Sequence, residues 1–144
     1  MPRLDAERIA LWREFCTISA GLQRKIDQAL VDDHALPLAW FDVLTAVRNA
    51  GGSMRVHELR EVLDEVPSSL SRRLDRMVEE GHLKRKHTPL PDDRRAVTVS
   101  MTNNGRYAWR DANITYRRMV QQHFAHRLTD TDIAALQRIW SKIA

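Results

Sequence analysis

The side chains with binding chemistry gather in two short stretches. The first, PSSLSRRLDRMVEEG at 67–81, carries hydroxyls at Ser68, Ser69 and Ser71 and guanidinium groups at Arg72, Arg73 and Arg76. Hydroxyls and free backbone amides at a helix start hold phosphate oxygens, and small side chains let the backbone come close. A guanidinium such as that of Arg72 can reach a base edge and grip guanine with two hydrogen bonds. The second stretch, PLPDDRRAV, carries Asp93, Arg94 and Arg95. An arginine on a turn suits a narrow minor groove, where the potential is most negative. Asp93 stands two residues before Arg95, where it can pair with that side chain and hold it in place. Either stretch alone also fits a solvated charged face. Side by side they fit double-stranded DNA.

Other chemistries find no support. His34, His57, His82, His87, His123 and His126 are scattered. His123 and His126 could share a metal from one helix face, but no Asp, Glu or Cys stands beside them there. G-x-S-x-G, H-E-x-x-H and glycine-rich phosphate loops are all missing. The expectation is no enzyme, no catalytic residue, no metal and no cofactor. Cys16 is the single cysteine, which excludes an internal disulfide and a Cys-rich zinc or iron–sulfur site. Between Phe15 and Ile18 it reads as a small core hydrophobe. The rival reading is a redox-sensing thiol.

These residues need elements to position them. Leu11, Trp12, Phe15, Ile18, Ser19, Leu22, Ile26 and Leu30 recur at steps of three and four, which predicts a helix over 5–31 with Asp5 as N-cap. Asp32, Asp33 and His34 break that pattern. Pro37 suits the first turn of a second helix, which Asn49–Gly52 ends. Ser53 is expected to cap a third helix bearing Val56, Leu59, Val62 and Leu63. A tight turn at 64–66 leads into a fourth helix, 67–80, with Leu70, Leu74, Met77 and Val78 inward and Gly81 as its stop. That is helix-turn-helix spacing. Two short strands around the charged loop 89–96 form a β-hairpin. Helix-turn-helix followed by a basic hairpin is a winged helix, with the fourth helix placed for the major groove. Thr102 and Asn103 offer caps for a long helix to about Leu128. Thr129 and Asp132 have the spacing of a capping box before the last helix.

The chain has 144 residues, 43% hydrophobic and 29% charged, so one domain of mainly α structure with a small β-hairpin is expected over 1–144. No apolar run approaches the ~18–20 residues of a membrane span. The first fifteen residues mix acids with apolar side chains, unlike a signal peptide, and a reducing cytoplasm is the expected compartment. Net charge is +4, and its sign flips along the chain: residues 56–66 sum to −3, residues 67–95 to +3 and residues 96–144 to +4. Trp12, Phe15, Trp109, Tyr116, Phe124, Ile139 and Trp140 are more large apolar side chains than one small winged helix can cover. The chain ends therefore read as dimerisation helices, about 5–31 and 103–144, around a winged helix-turn-helix at about 37–101. A homodimer would set two recognition helices about one DNA turn (~34 Å) apart.

Residues 59–85, LREVLDEVPSSLSRRLDRMVEEGHLKR, and 92–105, DDRRAVTVSMTNNG, resemble the MarR family of bacterial transcription regulators. The resemblance implies a homodimer that binds a pseudo-palindromic operator, usually to repress nearby genes, and is often released by a small molecule or oxidant. It makes Arg95 the minor-groove residue and Asp93 its partner, and matches Ser68, Ser69, Ser71 and Arg72 to recognition-helix positions. The sequence departs from the family at Glu65 and Val66, where an apolar residue and a capping residue are usual, and at Arg60, where small Ala is common. Some members sense peroxide through one cysteine held by tyrosines. Here the tyrosines are Tyr107 and Tyr116, both far along the chain from Cys16. The alternative is a small aromatic or phenolic effector in a cleft between dimer platform and reading head, lined by Trp12, Phe15, Ser19, Trp40 and Tyr116. A winged helix used only for protein interaction is the remaining rival, and such domains lack the arginines found here.

Overall fold

Polar residues at a helix end decide more of this fold than their hydropathy suggests. The structure, a computed structural model, describes residues 5–144; the part of the single-domain expectation that falls on 1–4 lies outside the described residues. Helix α1 (Ala6–His34) begins at Asp5, whose carboxylate accepts the Arg8 backbone N–H at 2.8 Å. It runs past the expected stop at 31, because Asp32, Asp33 and His34 continue the last turn. The His34 ring lies 2.7 Å from the Thr115 hydroxyl, and Arg118 donates to Asp33 at 3.1 Å. Both bonds tie the end of α1 to a later helix. Ala35, in the left-handed region at φ 51°, closes it.

Helix α2 (Leu38–Asn49) follows Pro37 and buries Phe41, Val43, Leu44 and Val47. Its first free N–H, on Leu38, is taken by the Asp27 carboxylate at 2.8 Å. Gly51 and Gly52, at φ 97° and 100°, turn the chain back. Here the sequence reading needs correcting. Ser53 caps no helix. Ser53–Arg55 is a strand, β1, and helix α3 (Val56–Leu63) starts only after it. Strand β1 pairs with Ser100, Val99 and Thr98, and the Ser53 and Ser100 hydroxyls lie 3.0 Å apart. Helix α4 (Pro67–Glu79), strand β2 (Leu83–His87) and strand β3 (Val97–Met101) complete the winged helix. The expected hairpin is thus an antiparallel sheet of three strands in the order β1-β3-β2, with β3 central.

Thr102 accepts the Gly105 N–H at 3.0 Å and starts helix α5 (Asn103–His123). That helix stops short of 128; a 3₁₀ turn at Ala125–Arg127 intervenes. Thr129 and Asp132 form the expected capping box of helix α6 (Asp130–Ile143). One core joins α2, α3, α4 and the sheet through Leu44, Leu59, Leu70, Leu74, Leu83 and Val99. Trp109 and Tyr116 are covered by it: Trp109 lies parallel to Phe41 at 6.1 Å and Tyr116 stacks on Phe41 at 4.8 Å. Trp12, Phe15, Phe124, Ile139 and Trp140 stay exposed.

Candidate nucleic-acid interface

Helix α4 divides its side chains cleanly. Leu70, Leu74 and Met77 are buried, and Val78 is half-buried against the same core. Ser68, Ser69, Ser71, Arg72 and Arg76 are exposed on the rest of the helix. Pro67 occupies the first helical position, where its missing N–H costs nothing. Val66 supplies no capping hydrogen bond. The free amides of the first turn therefore open onto the face that carries the serines.

Arg73 lies elsewhere. Its guanidinium donates to the Glu65 carboxylate at 2.7 Å, and the two side chains are only 17% and 26% exposed. It braces the turn before α4. The family-atypical Glu65 thus has a use that spacing eight residues apart does not advertise. Desolvation holds the carboxyl of Asp42 above the ordinary carboxylate range, with Arg73 pulling it down and Glu65 pushing it up.

The loop from Thr88 to Ala96 is closed by its own backbone. Thr88 N–H bonds Ala96 O at 2.9 Å, and Leu90 and Asp93 exchange bonds at 2.8 and 3.1 Å. His87 Nε2 is 2.9 Å from Arg94 O. The expected Asp93–Arg95 side-chain pair is replaced by a different bond. Asp93 Oδ1 accepts the backbone N–H of Arg95 at 3.0 Å, an Asx turn. A turn this short brings the carboxylate to the amide two residues on, while the Arg95 side chain remains exposed. Two further arginines brace this region. Arg55 reaches Asp92 at 3.8 Å, and Arg85 on β2 donates to Asp75 on α4 at 2.5 Å. Neither was marked by the sequence reading; Arg55 hides in the missed strand. Arg94 is also exposed.

The MarR family model matches residues 35–96. Multiple antibiotic resistance protein MarR of Escherichia coli (strain K12) is 30% identical over 118 residues, 79% of this chain and 80% of that protein. The chain belongs to the MarR family. It is a transcription regulator, not an enzyme. A solved structure of mutant E. coli MarR complexed with operator DNA is 28% identical and superposes with a TM-score of 0.80, covering 99% of each chain. Sco3205, a MarR family transcriptional regulator from Streptomyces coelicolor solved in complex with DNA, has the same fold at a TM-score of 0.87 and 24% identity, covering 99% of this chain and 89% of its own.

Of the residues expected to line an effector cleft, this MarR-family chain brings Trp12 and Phe15 together, 6.1 Å between ring centres, and gives Trp40, Tyr116 and Ser19 other neighbours. Trp12 and Phe15 are exposed, Phe15 meeting Trp140 edge-on at 5.6 Å. Trp40 meets the His82 ring at 5.9 Å, and Tyr116 is taken up by Phe41. Ser19 accepts from Gln23 at 3.1 Å. Cys16, read as a core residue, is exposed in the single chain. Among the described residues, no group of three or more His, Cys, Asp or Glu is placed to hold a metal. No helix among them is long and apolar enough to cross a membrane.

Proposed function

We propose that this regulator is a homodimeric repressor that reads a pseudo-palindromic operator, with α4 in the major groove and the 88–96 loop in the minor groove. The observation that carries the reading is the unspent face of α4: three serines and two arginines exposed opposite the buried leucines, beside a closed loop with Arg94 and Arg95 free. The lobe's ion pairs are made by Arg55, Arg73 and Arg85 instead, so the exposed guanidinium groups are available to phosphates and bases. Arg73 is therefore a positioning residue, and Ser68, Ser69, Ser71, Arg72, Arg76, Arg94 and Arg95 are the contacts. Occupying an operator excludes other proteins from it, which is sufficient for repression. That the E. coli relative was solved in complex with operator DNA supports DNA as the partner.

Binding to operator and to mixed DNA at two salt concentrations tests the proposal. A steep loss of affinity with salt is expected, as phosphates release their counterions. Arg72→Ala should weaken operator binding by about 1–3 kcal/mol and leave the melting temperature unchanged. Unchanged operator affinity in that variant would remove α4 from the groove.

A further inference from the structure

One cavity lies away from the proposed DNA face. It holds about 490 Å³ between the last turn of α2, the end of β3 and the first turns of α5, within the size range of small-molecule sites. Arg48, Arg106 and Arg110 line it together, and among the described residues no Asp or Glu does. Trp109 and Met101 supply its apolar wall.

Three cations in one concavity repel each other unless something negative sits among them. Their existing contacts leave donors over. Arg48 sits over Trp109, its guanidinium carbon 4.1 Å from the ring centre. Stacking of this kind uses the guanidinium face and leaves its in-plane N–H groups free. Arg106 makes one long bond, 3.3 Å, to Asn103. Arg110 leans toward Asp111, 3.6 Å away, and over Tyr107 at 5.2 Å; Asp111 does not reach the cavity.

The wall is also set in advance. The Trp109 indole N–H donates to Thr45 at 2.9 Å, and the ring lies parallel to Phe41. Phe41, Trp109 and Arg48 thus form a fixed stack whose ordering need not be repeated on binding. Met101 adds an adaptable apolar surface, and its N–H is tied to Gly52 O at 2.9 Å. Both Gly51 and Gly52 have positive φ, which draws the chain back and opens the space in front of Arg106.

We infer that this cavity is a binding site for a small, flat organic dianion, gripped by Arg48, Arg106 and Arg110 and lying against the edge of Trp109 and against Met101. DNA is a poorer occupant. The cavity is at the Met101 end of β3, about 13 Å along the strand from Val97, where the 88–96 loop ends.

Isothermal titration of the full chain with phthalate tests this without any DNA, so the outcome does not depend on the proposed function. Benzoate, benzamide and sulfate are the comparators. Phthalate should bind at least ten-fold more tightly than benzoate or sulfate, and benzamide should give no heat. Arg106→Gln and Arg48→Gln should each weaken phthalate at least ten-fold, while Arg72→Ala leaves it unchanged. Arg106 is exposed, so its variant keeps the fold even if the Arg48 variant disturbs the stack. Absence of phthalate binding, equal binding of sulfate, or indifference to Arg106→Gln would each overturn the inference.

Discussion

Asp93 illustrates how one side chain can act through the backbone rather than through charge. Its Oδ1 holds the Arg95 N–H, so acceptor and charge can be separated. Asn keeps the acceptor and removes the charge; Ala removes both. Asp93→Asn should bind DNA at least as tightly as the native chain, since one negative charge near phosphates is gone. Asp93→Ala should bind less tightly than Asp93→Asn, because the loop loses its Asx turn and must be ordered on binding. Fluorescence anisotropy on operator DNA would rank the three, and an Ala variant equal to the Asn variant would leave Asp93 as a surface charge. His82 makes a second prediction of this size. Burial pushes its pKa below the ordinary 6.5, against the pull of Glu80, and its Nδ1 is buried without a partner. The folded state then binds fewer protons than the unfolded chain just below pH 6.5, so stability falls as pH drops through that value. Urea midpoints between about pH 7 and 5.5 should fall less in His82→Phe than in the native chain, as Phe keeps a ring against Trp40 but cannot titrate.

Elements were legible where their signal was local. The α4 stripe, the Pro67 start, the Thr102 cap and the Thr129–Asp132 capping box are all local patterns, and all were found. What was missed depends on partners far along the chain. Strand β1 is three residues long, too short for alternation, and exists because β3 offers it an edge. The end of α1 is held by Thr115 and Arg118, over eighty residues away. The winged helix could be read from sequence, but Arg73 was grouped with the exposed arginines because charge says nothing of direction. The Glu65–Arg73 brace gives the corresponding prediction. Removing one partner of a mostly buried pair strands the other, so Arg73→Ala should cost about 1–3 kcal/mol of folding stability by urea denaturation. Its neighbour Arg72, exposed, should cost within about 0.5 kcal/mol when cut to Ala. Equal small losses would show the brace to be a passive contact.

At the scale of the molecule, the two chain ends are unfinished. Trp12 is 65% exposed and Ile143 73%, with Leu11, Phe15, Ile18 and Trp140 also open. A surface this apolar is covered in a stable protein. Sedimentation at micromolar concentration should give twice the 16.7 kDa chain mass, and truncation before Thr129 should give a product that aggregates. A soluble, folded monomer would refute the dimer. One joint decides what such a dimer does with its reading heads. Thr102 donates its hydroxyl to Gly81 O at 2.5 Å and accepts the Gly105 N–H, while a Cβ on Gly105 would run into the His82 carbonyl. Strand β3 and helix α5 therefore meet without slack. In the proposed dimer the wing is an arm joined to α5, and β3 carries it about 13 Å from Met101 to Val97 at strand spacing. Rotating α5 by about 10° would sweep the far end of β3 by about 2 Å, against a minor groove about 6 Å wide. In the proposed dimer, a small change in the angle at which two subunits cross would be geared into a gain or loss of fit at the DNA.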